Sequence, residues 1–473
     1  MLKFFTITLF CLSSPLLAKT KIACVGDSIT FGSGIPAREK LSYPSQLGAL
    51  LGDEYEVRNF GVSGATMLDN GDKPYVKTQA YKPSLEFQPD IVIIKLGTND
   101  SKPHNWKHKG NFTQSTNNLI ASYQKLTSSN GKKPRIILCK PAPVLGAQWG
   151  ITEKITRGEI GKLLDKISYH RHLELIDLHI PLRDKPEFIP DKVHPNAFGA
   201  ERMARHIHRY LSMPREQFTL NDFLHADTSY FHGYPFSEWN GGKHKIVHPL
   251  TPAKGHPWIW RARFWGHQPQ FDIQMLELGY HIVYCDVADL FGSPAAVKKW
   301  DEFYKLTQQW GLGSKPVLEG MSRGGLIIHN WAVANPDKVA GIIGDNCVMD
   351  IKSWPAGFGT GKGHPATWEK CKAAYGFKTD DQAKTYLQNP IDTIQAIKKA
   401  NIPVLYLINL ADGVVPPAEN SALAADKLKP YPQLNVIEKA GMGHHPHSLP
   451  NPAPITDFAL KCSGFSLESA VTK

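Results

Sequence analysis

The sequence predicts an α/β fold divided between two domains, and three observations predict it. The chain has 473 residues, more than one hydrophobic core usually serves. In its first half, short β-branched runs alternate with helical stretches, a pattern typical of a parallel sheet with helices on both faces. In each half a serine follows such a run within a turn of small residues, where an open α/β sheet places its ligand. We expect a signal peptide at 1–18, a first domain at 19–213, a connection at 214–230 and a second domain at 231–473.

The N-terminus has the composition of an export signal. Met1 to Ala18 holds one lysine, an apolar run from Phe4 to Leu12 and small residues before Ala18. This pattern predicts a secretory signal peptide cleaved near Ala18, and a periplasmic or secreted protein. No later run is long enough for a transmembrane helix, so we expect no membrane anchor.

The first half contains five strand-like runs, separated by helical stretches. The strand-like runs are 22–25, 55–58, 91–96, 135–139 and 173–177. The helical stretches are Tyr43 to Leu51, Asn117 to Leu126, Gly158 to Ile167 and a closing helix from Asn196 to Leu211.

Four short blocks of polar and small residues stand at the ends of these elements. They are Gly26-Asp27-Ser28, Asn59-Phe-Gly-Val-Ser-Gly64, Gly97-Thr-Asn99-Asp100 and Asp191-Lys-Val-His194. Taken singly each is weak, since a Gly-Asp-Ser tripeptide is usually an ordinary turn. All four occur in order, and together they resemble the blocks of the SGNH (GDSL) hydrolase family, whose domain is a flavodoxin-like three-layer α/β/α sandwich.

This resemblance implies a role for each block. Ser28 attacks an ester carbonyl, His194 takes its proton, and Asp191 orients the imidazole. The oxyanion is bound by the backbone N–H groups of Ser28 and Gly64 and by the side-chain amide of Asn99. The loss of one such donor typically costs roughly 3–4 kcal/mol of transition-state stabilisation. The alternative is an N-terminal helix cap at Asp191 with a surface histidine beside it.

Trp106 lies in the loop 101–108, just after the Asn99 block. Its position predicts a place on the rim of the site, where the indole is expected to stack on a sugar ring. The alternative is a tryptophan that packs on its own domain.

The second half is arranged around Ser322. The segment Lys315 to His329 reads as a strand, then Gly320-Met-Ser322-Arg-Gly324, then a helix. This is the strand–turn–helix setting of the Gly-x-Ser-x-Gly nucleophile elbow, and it resembles the α/β-hydrolase fold. That fold implies an acid after a later strand and then a histidine. Asp412 follows the strand-like run 402–408, and His444 follows 434–438 with His445 as the reserve.

The oxyanion hole of this second site is less defined by the sequence. The resemblance implies the N–H of Arg323 as one donor and a second donor near Ala262 or Arg263. The usual His-Gly-Gly signature is absent after the strand-like run 257–261, which leaves the geometry of the hole open.

No cofactor or metal is expected. His444, His445 and His447 lie close together, but no neighbouring acid or cysteine in the sequence accompanies them as a zinc ligand set. The net charge of +11 comes from dispersed lysines, which argues against nucleic acid and allows steering of an anionic polysaccharide. A solvated basic surface without a role is an equal alternative.

The two resemblances together suggest an exported, bifunctional carbohydrate esterase. The expected substrate is an acylated polysaccharide or oligosaccharide, from which each domain removes acetyl or other small acyl groups. In one alternative, one domain is catalytic and the other binds glycan or is structural. Another is a periplasmic lipase or thioesterase, although the segment 354–390 does not look like an apolar lid.

Overall fold

A computed structural model describes residues 19–216 and 229–465. We keep the names first domain and second domain for the predicted ranges 19–213 and 231–473 as far as these residues describe them. The predicted signal peptide at 1–18 lies outside the described residues, as does the part of the predicted connection at 217–228.

The first domain contains a sheet of five parallel strands in the order β2-β1-β3-β4-β5. The strands are β1 (Thr20–Gly26), β2 (Tyr55–Gly61), β3 (Ile91–Lys95), β4 (Arg135–Lys140) and β5 (Glu174–Asp177). From β1 the chain adds β2 on one side of the sheet and then β3, β4 and β5 on the other side. The strand order therefore switches between β1 and β3, and an open α/β sheet binds its ligand at such a switch point.

Helices cover both faces of this sheet. They are α1 (Ser28–Phe31), α2 (Arg38–Leu41), α3 (Tyr43–Leu51), α4 (Tyr81–Glu86), α5 (Pro103–Trp106), α6 (Phe112–Gln124), α7 (Glu153–Ile155), α8 (Gly161–Arg171) and α9 (Ala197–Ser212). Ala23 and Val25 of β1 enter one apolar cluster, whereas Ile22 and Cys24 enter another on the opposite face. A strand buried on both faces reads as a continuous apolar run. The parallel α/β sheet predicted for the first domain is therefore confirmed.

The second domain contains a mixed sheet in the order β14-β13-β12-β11-β9-β10-β8-β7-β6. Its strands are β6 (Ser229–Phe231), β7 (Tyr234–Trp239), β8 (His244–Val247), β9 (Trp258–Arg261), β10 (His281–Cys285), β11 (Val317–Met321), β12 (Gly341–Asp345), β13 (Val404–Ile408) and β14 (Leu434–Glu438). The strands from β14 to β10 in this order are parallel, and β8, β7 and β6 continue the sheet as an antiparallel meander.

The helices of the second domain follow its parallel strands. They are α10 (Gln270–Glu277), α11 (Pro294–Gln309), α12 (Gly324–Ala334), α13 (Pro365–Tyr375), α14 (Asp380–Lys384), α15 (Pro390–Thr393), α16 (Gln395–Lys399), α17 (Ser421–Leu428) and α18 (Ala453–Cys462). Helix α12 starts directly behind β11 and packs on that strand.

The two domains pack against each other. Glu277 of α10 accepts a hydrogen bond from the backbone N–H of Asp177 at 2.6 Å, and its other carboxylate oxygen lies 2.9 Å from His206 Nε2 of α9. Ile180 and Met213 belong to the same buried apolar cluster as residues of the second domain such as Phe271. This shared apolar and polar interface fixes the two sheets in one packed body.

None of the helices in residues 19–216 and 229–465 has both the length and the apolar composition needed to cross a bilayer.

Candidate active sites

Ser28 stands at the carboxyl end of β1, where the strand turns into α1. The Asp27 carboxylate accepts a hydrogen bond from the backbone N–H of Ile29 at 3.0 Å and so caps this short helix. Gly26 leaves no room for a side chain, because a Cβ there would lie 2.6 Å from the carbonyl oxygen of Lys95. The turn therefore holds the Ser28 hydroxyl at the ligand edge of the sheet.

The structure brings Ser28, His194 and Asp191 into one hydrogen-bonded chain. The Ser28 Oγ lies 2.8 Å from His194 Nε2, and His194 Nδ1 lies 2.7 Å from Asp191 Oδ2. The second oxygen of Asp191 accepts the backbone N–H groups of Val193 at 3.0 Å and His194 at 2.6 Å. A serine, an imidazole and a carboxylate in this order have the geometry of a nucleophile, a base and an orienting acid.

The environment of Asp191 favours its charged form. Partial burial alone would raise the pKa of Asp191, but hydrogen bonds from the backbone of His194 and Val193 and from the His194 ring lower it. The carboxylate is thus available to hold His194 through Nδ1–H, which leaves Nε2 facing the serine as a proton acceptor.

Two of the three expected oxyanion donors, Gly64 and Asn99, lie in the loops that follow β2 and β3. Gly64 has a φ of +83°, and neither its N–H nor that of Ser28 donates to an acceptor within residues 19–216 or 229–465. Asn99 follows β3 and donates one amide hydrogen to the carbonyl oxygen of Ala65 at 3.1 Å. This bond ties Asn99 to the Gly64 loop and leaves its second amide hydrogen for a ligand.

Asp27 and Lys95 form a buried ion pair near Ser28, and the sequence analysis did not predict it. Lys95 Nζ lies 3.0 and 2.9 Å from the two carboxylate oxygens of Asp27, and neither side chain is exposed to solvent. Lys95 also donates to Thr98 Oγ1 at 2.6 Å. The ion pair therefore links the turn that holds Ser28 to the loop that carries Asn99.

Asp100 supports the oxyanion loop from below. Its two carboxylate oxygens accept the backbone N–H groups of Met67 at 2.9 Å and Leu68 at 2.7 Å. Burial raises the pKa of Asp100 to about 6, although these backbone donors lower it. Both carboxylate oxygens of Asp100 are engaged by the backbone of the 65–68 segment, so we regard it as a positioning residue.

The prediction for Trp106 is corrected by its burial. Its side chain is 7% exposed, packs edge-on against Phe112 and donates from Nε1 to Glu159 at 3.0 Å. An indole enclosed in this way has no free face for a sugar ring. Trp106 takes the packing role that the sequence left as the alternative.

Trp149 holds the position on the rim that the sequence assigned to Trp106. It is 54% exposed, and its ring centroid lies 5.5 Å from that of His194. Its backbone φ of +53° is unusual for a tryptophan and turns the loop at this point. In the sequence Trp149 lies between Gly146 and Gly150, in a segment without a motif. This aromatic residue beside glycines was the one sequence feature that pointed to an exposed loop tryptophan.

Ser322 lies in a strained turn between β11 and α12. Its φ is +50°, a conformation that costs a residue with a side chain roughly 1–3 kcal/mol. A Cβ at Gly320 would lie 2.7 Å from Ile328 and 2.8 Å from the carbonyl oxygen of Gly324, so the turn requires glycine there. Ser322 thus lies in the tight strand–turn–helix that the sequence predicted.

The structure also brings Ser322, His444 and Asp412 together. The Ser322 Oγ lies 3.0 Å from His444 Nε2, and His444 Nδ1 lies 2.6 Å from Asp412 Oδ2. The other oxygen of Asp412 accepts the backbone N–H groups of Val414 and Val415, each at 2.9 Å. Burial would raise the pKa of Asp412, but His444 and these backbone donors lower it. His444, and not the reserve His445, is the histidine that contacts the serine.

The second site is more enclosed than the first. The side chains of His444 and Asp412 are 8% and 0% exposed, whereas those of His194 and Asp191 are 17% and 42% exposed. His194 and Asp191 are thus more exposed to solvent than His444 and Asp412.

The backbone N–H groups of Arg323 and Arg263 have no acceptor within the described residues and are the candidate donors to an oxyanion at Ser322. Arg323 follows the serine and precedes α12. The N–H of Ala262 already donates to the carbonyl oxygen of Glu319 at 2.9 Å, so it is not available. A Cβ at Gly324 would lie 3.2 Å from the Cβ of Arg263, which places Arg263 against the elbow. Of the two residues left open by the sequence, Arg263 is the one whose N–H is available.

His445 and His447 complete a histidine cluster with His444. One ring nitrogen from each of the three lies within 4.8 Å of the others. His447 is buried and lies with Nδ1 3.3 Å from Asp345 Oδ1, and Asp345 in turn accepts from Lys439 Nζ at 2.6 Å. These three histidines are the group of the described chain that could hold a metal ion.

Comparison with known proteins places the first domain in a family. Residues 24–202 match the GDSL-like lipase/acylhydrolase family. An acetylxylan esterase of Xylanibacter ruminicola is 41% identical over 198 residues, which are 39% of this chain and 41% of that protein. A multidomain esterase of Ruminococcus flavefaciens is 25% identical over 233 residues, which are 41% of this chain and 29% of that protein.

Among solved structures, a carbohydrate acetylesterase from Sinorhizobium meliloti aligns with a TM-score of 0.34 and 21% identity. The alignment covers 41% of this chain and 99% of that one. The chain spans less than half the length of the two curated relatives, 41% and 29% respectively.

The matched segment contains Ser28, Gly64, Asn99, Asp191 and His194. The first domain is therefore of the serine-hydrolase class that acts on ester bonds. More particularly, residues 24–202 form a domain of the GDSL-like lipase/acylhydrolase family.

Proposed function

We propose that the chain is an exported, bifunctional carbohydrate O-acyl esterase. Each domain removes acetyl or other small acyl groups with its own Ser-His-Asp triad, and neither triad needs a cofactor.

The observation that carries the proposal is the hydrogen-bonded chain from Ser28 through His194 to Asp191. It stands at the topological switch point of the first sheet, beside Gly64 and Asn99. The residues of this hydrogen-bonded chain lie within 24–202, which match the GDSL-like lipase/acylhydrolase family. The chain is also 41% identical over 198 residues to a protein named acetylxylan esterase. An ester, and an acetyl ester of a sugar in particular, is the substrate class that this combination supports best.

The geometry performs ester hydrolysis in two steps. Ser28 Oγ bonds to the acyl carbon while its proton passes to His194 Nε2, and the carbonyl oxygen becomes an oxyanion held by the N–H of Gly64 and the amide of Asn99. The C–O bond to the sugar then breaks, and the sugar oxygen takes the proton from His194. Water attacks the resulting acyl-serine in the same way, which releases the carboxylic acid and restores Ser28.

The second domain contains a serine, a histidine and an aspartate that can perform the same reaction. The parallel strand order around β11, the strained Ser322 and the acid after β13 support an α/β-hydrolase assignment. Backbone N–H groups of Arg323 and Arg263 serve as the oxyanion donors. The deeper position of His444 favours a shorter acylated sugar than the open first site accepts.

A carbohydrate substrate is supported by Trp149. Its exposed ring lies beside His194, where a sugar that carries the ester would sit. Sugars present apolar C–H faces that pack on aromatic rings, so Trp149 provides a stacking platform next to the reacting bond.

Export is supported by the signal-peptide pattern of Met1 to Ala18. N-terminal sequencing of the protein recovered from the periplasm or medium should begin at Lys19. A protein that keeps Met1 in the cytoplasm would contradict export.

Acetate release tests the activity. Wild type, Ser28→Ala, Ser322→Ala and the double variant are compared on acetylated polysaccharides, acetylated oligosaccharides and an aryl acetate. We expect each single variant to lose a different part of the activity and the double variant to lose all of it. If one single variant hydrolyses every substrate as fast as wild type, the domain that carries this substitution is a glycan-binding or structural module. If long-chain esters are the preferred substrates, the chain is a lipase or thioesterase.

A further inference from the structure

The loop that carries His444 contains two further histidines that the proposed hydrolysis does not use. His445 is exposed and His447 is buried, and one ring nitrogen of each lies within 4.8 Å of a ring nitrogen of His444. Imidazole nitrogen is a preferred ligand of Zn²⁺ and of several other first-row divalent metals.

His447 has one ring nitrogen beside a carboxylate and the other without a partner in the described chain. Its Nδ1 lies 3.3 Å from the Asp345 carboxylate, and its buried Nε2 has no hydrogen-bond partner within the described chain. In protein metal sites a carboxylate commonly holds one nitrogen of a ligating histidine and leaves the other for the metal. Asp345 is itself fixed by Lys439 at 2.6 Å. An unpartnered nitrogen in a buried position is costly, and a bound cation would satisfy it.

The spacing of the three nitrogens requires a small adjustment. With Zn–N bonds of about 2.0–2.1 Å, tetrahedral ligands lie roughly 3.4 Å apart. The His445 ring already lies against the other two, with its centroid 4.9 Å from those of His444 and His447. His267 stands on the same side, with its ring centroid 5.8 Å from that of His445 and 6.0 Å from that of His447, and is in reach as a fourth ligand.

We propose that His444, His445 and His447 form a binding site for Zn²⁺ or a similar imidazole-preferring divalent metal, and that its occupancy switches off the Ser322 centre. His444 cannot ligate the metal and keep its hydrogen bonds to both Ser322 and Asp412, so metal binding removes the base. The metal site stands on geometry alone, whereas the inhibition rests on the proposed function of the Ser322 triad.

Metal binding is tested first without any activity. Isothermal titration of the full chain with Zn²⁺ should show one site on wild type that persists in Ser322→Ala. His445→Gln should weaken binding at least 10-fold, while His170→Gln, a change at an exposed histidine of the first domain, should leave it unchanged. Because His445 is exposed, its variant should melt at the wild-type temperature. The absence of binding, or equal binding by His445→Gln and wild type, would overturn the site.

Inhibition is then tested on one centre at a time with an aryl acetate. In Ser28→Ala only the Ser322 centre acts, and Zn²⁺ should inhibit it, EDTA should restore it, and adding His445→Gln should relieve the inhibition at least 10-fold. Mg²⁺, which prefers oxygen ligands, should have no effect. Zn²⁺ bound in the titration without inhibition of an active Ser28→Ala would refute the switch. Absence of any activity in Ser28→Ala would refute the proposed function instead, with the titration still deciding the metal site.

Discussion

Replacement of Asn99 by alanine tests the oxyanion hole of the first site. In the structure one amide hydrogen of Asn99 is engaged by Ala65 at 3.1 Å, so one hydrogen remains for the oxyanion. The loss of a single oxyanion donor typically costs about 2.7–4 kcal/mol, which corresponds to a 10²–10³-fold lower kcat. The lost bond to Ala65 costs about 0.5–1.5 kcal/mol of stability in addition. The assay is aryl acetate hydrolysis in a Ser322→Ala background, so that only Ser28 acts.

Asn105→Ala is the matched control for this experiment. Asn105 is equally buried and donates to the carbonyl oxygen of Asn99 at 2.9 Å, but its amide is directed at the backbone and at Asp72. Its loss removes three hydrogen bonds, so it should lower the melting temperature at least as much as Asn99→Ala and yet reduce kcat less than 10-fold. If Asn99→Ala retains kcat within a factor of three, or if both variants fall alike, the oxyanion role of Asn99 is refuted.

Three further predictions concern the surroundings of the first site. Trp149→Ala should raise KM for an acetylated polysaccharide about 3- to 10-fold through the loss of ring stacking, with kcat for an aryl acetate unchanged; equal effects on both substrates would argue against a sugar platform. Lys95→Met should cost about 3–5 kcal/mol, since it leaves Asp27 charged and unpaired in the interior, and a second change, Asp27→Asn, should recover much of the lost melting temperature. Burial raises the pKa of Asp100 to about 6, from about 3.9 in the unfolded chain, so its contribution to stability is full below about pH 4 and is lost as pH rises through about 6. Asp100→Asn should therefore flatten this part of the melting temperature profile, and an unchanged profile would contradict the buried carboxylate.

The central parallel strands, such as β3 and β4, were predictable because they are buried on both faces and form continuous apolar runs. The predicted runs 91–96 and 135–139 correspond to β3 and β4, and the predicted helix from Tyr43 to Leu51 has the observed bounds of α3. Helix α6 starts at Phe112, earlier than the predicted Asn117, because its first turn is largely polar and gives little apolar periodicity.

The antiparallel strands β6 to β8 escaped the sequence analysis for a different reason. They are short, partly exposed and mix aromatic, proline and charged residues, so they lack both a continuous apolar run and a clean alternation. Their pairing depends on β10, which is remote in sequence. Propensity alone does not show such partners.

The polar residues of both sites were predictable where a turn of small residues follows a strand. The groups that support them were not, because each depends on a partner distant in the chain. Lys95 reaches Asp27 across neighbouring strands, and Asp345 reaches His447 over a separation of 102 residues. Trp149 was missed for the same reason, since its place is defined by His194 and not by a motif.

The most direct test of two independent nucleophiles is the intact mass of the protein after reaction with an aryl fluorophosphonate, which labels activated serines. Wild type should gain two adducts, each single variant should gain one, and the double variant should gain none. In Ser28→Ala peptide mapping should locate the adduct on Ser322, and in Ser322→Ala on Ser28. A single adduct on wild type, or an adduct that persists in the double variant, would contradict a chain with two serine triads.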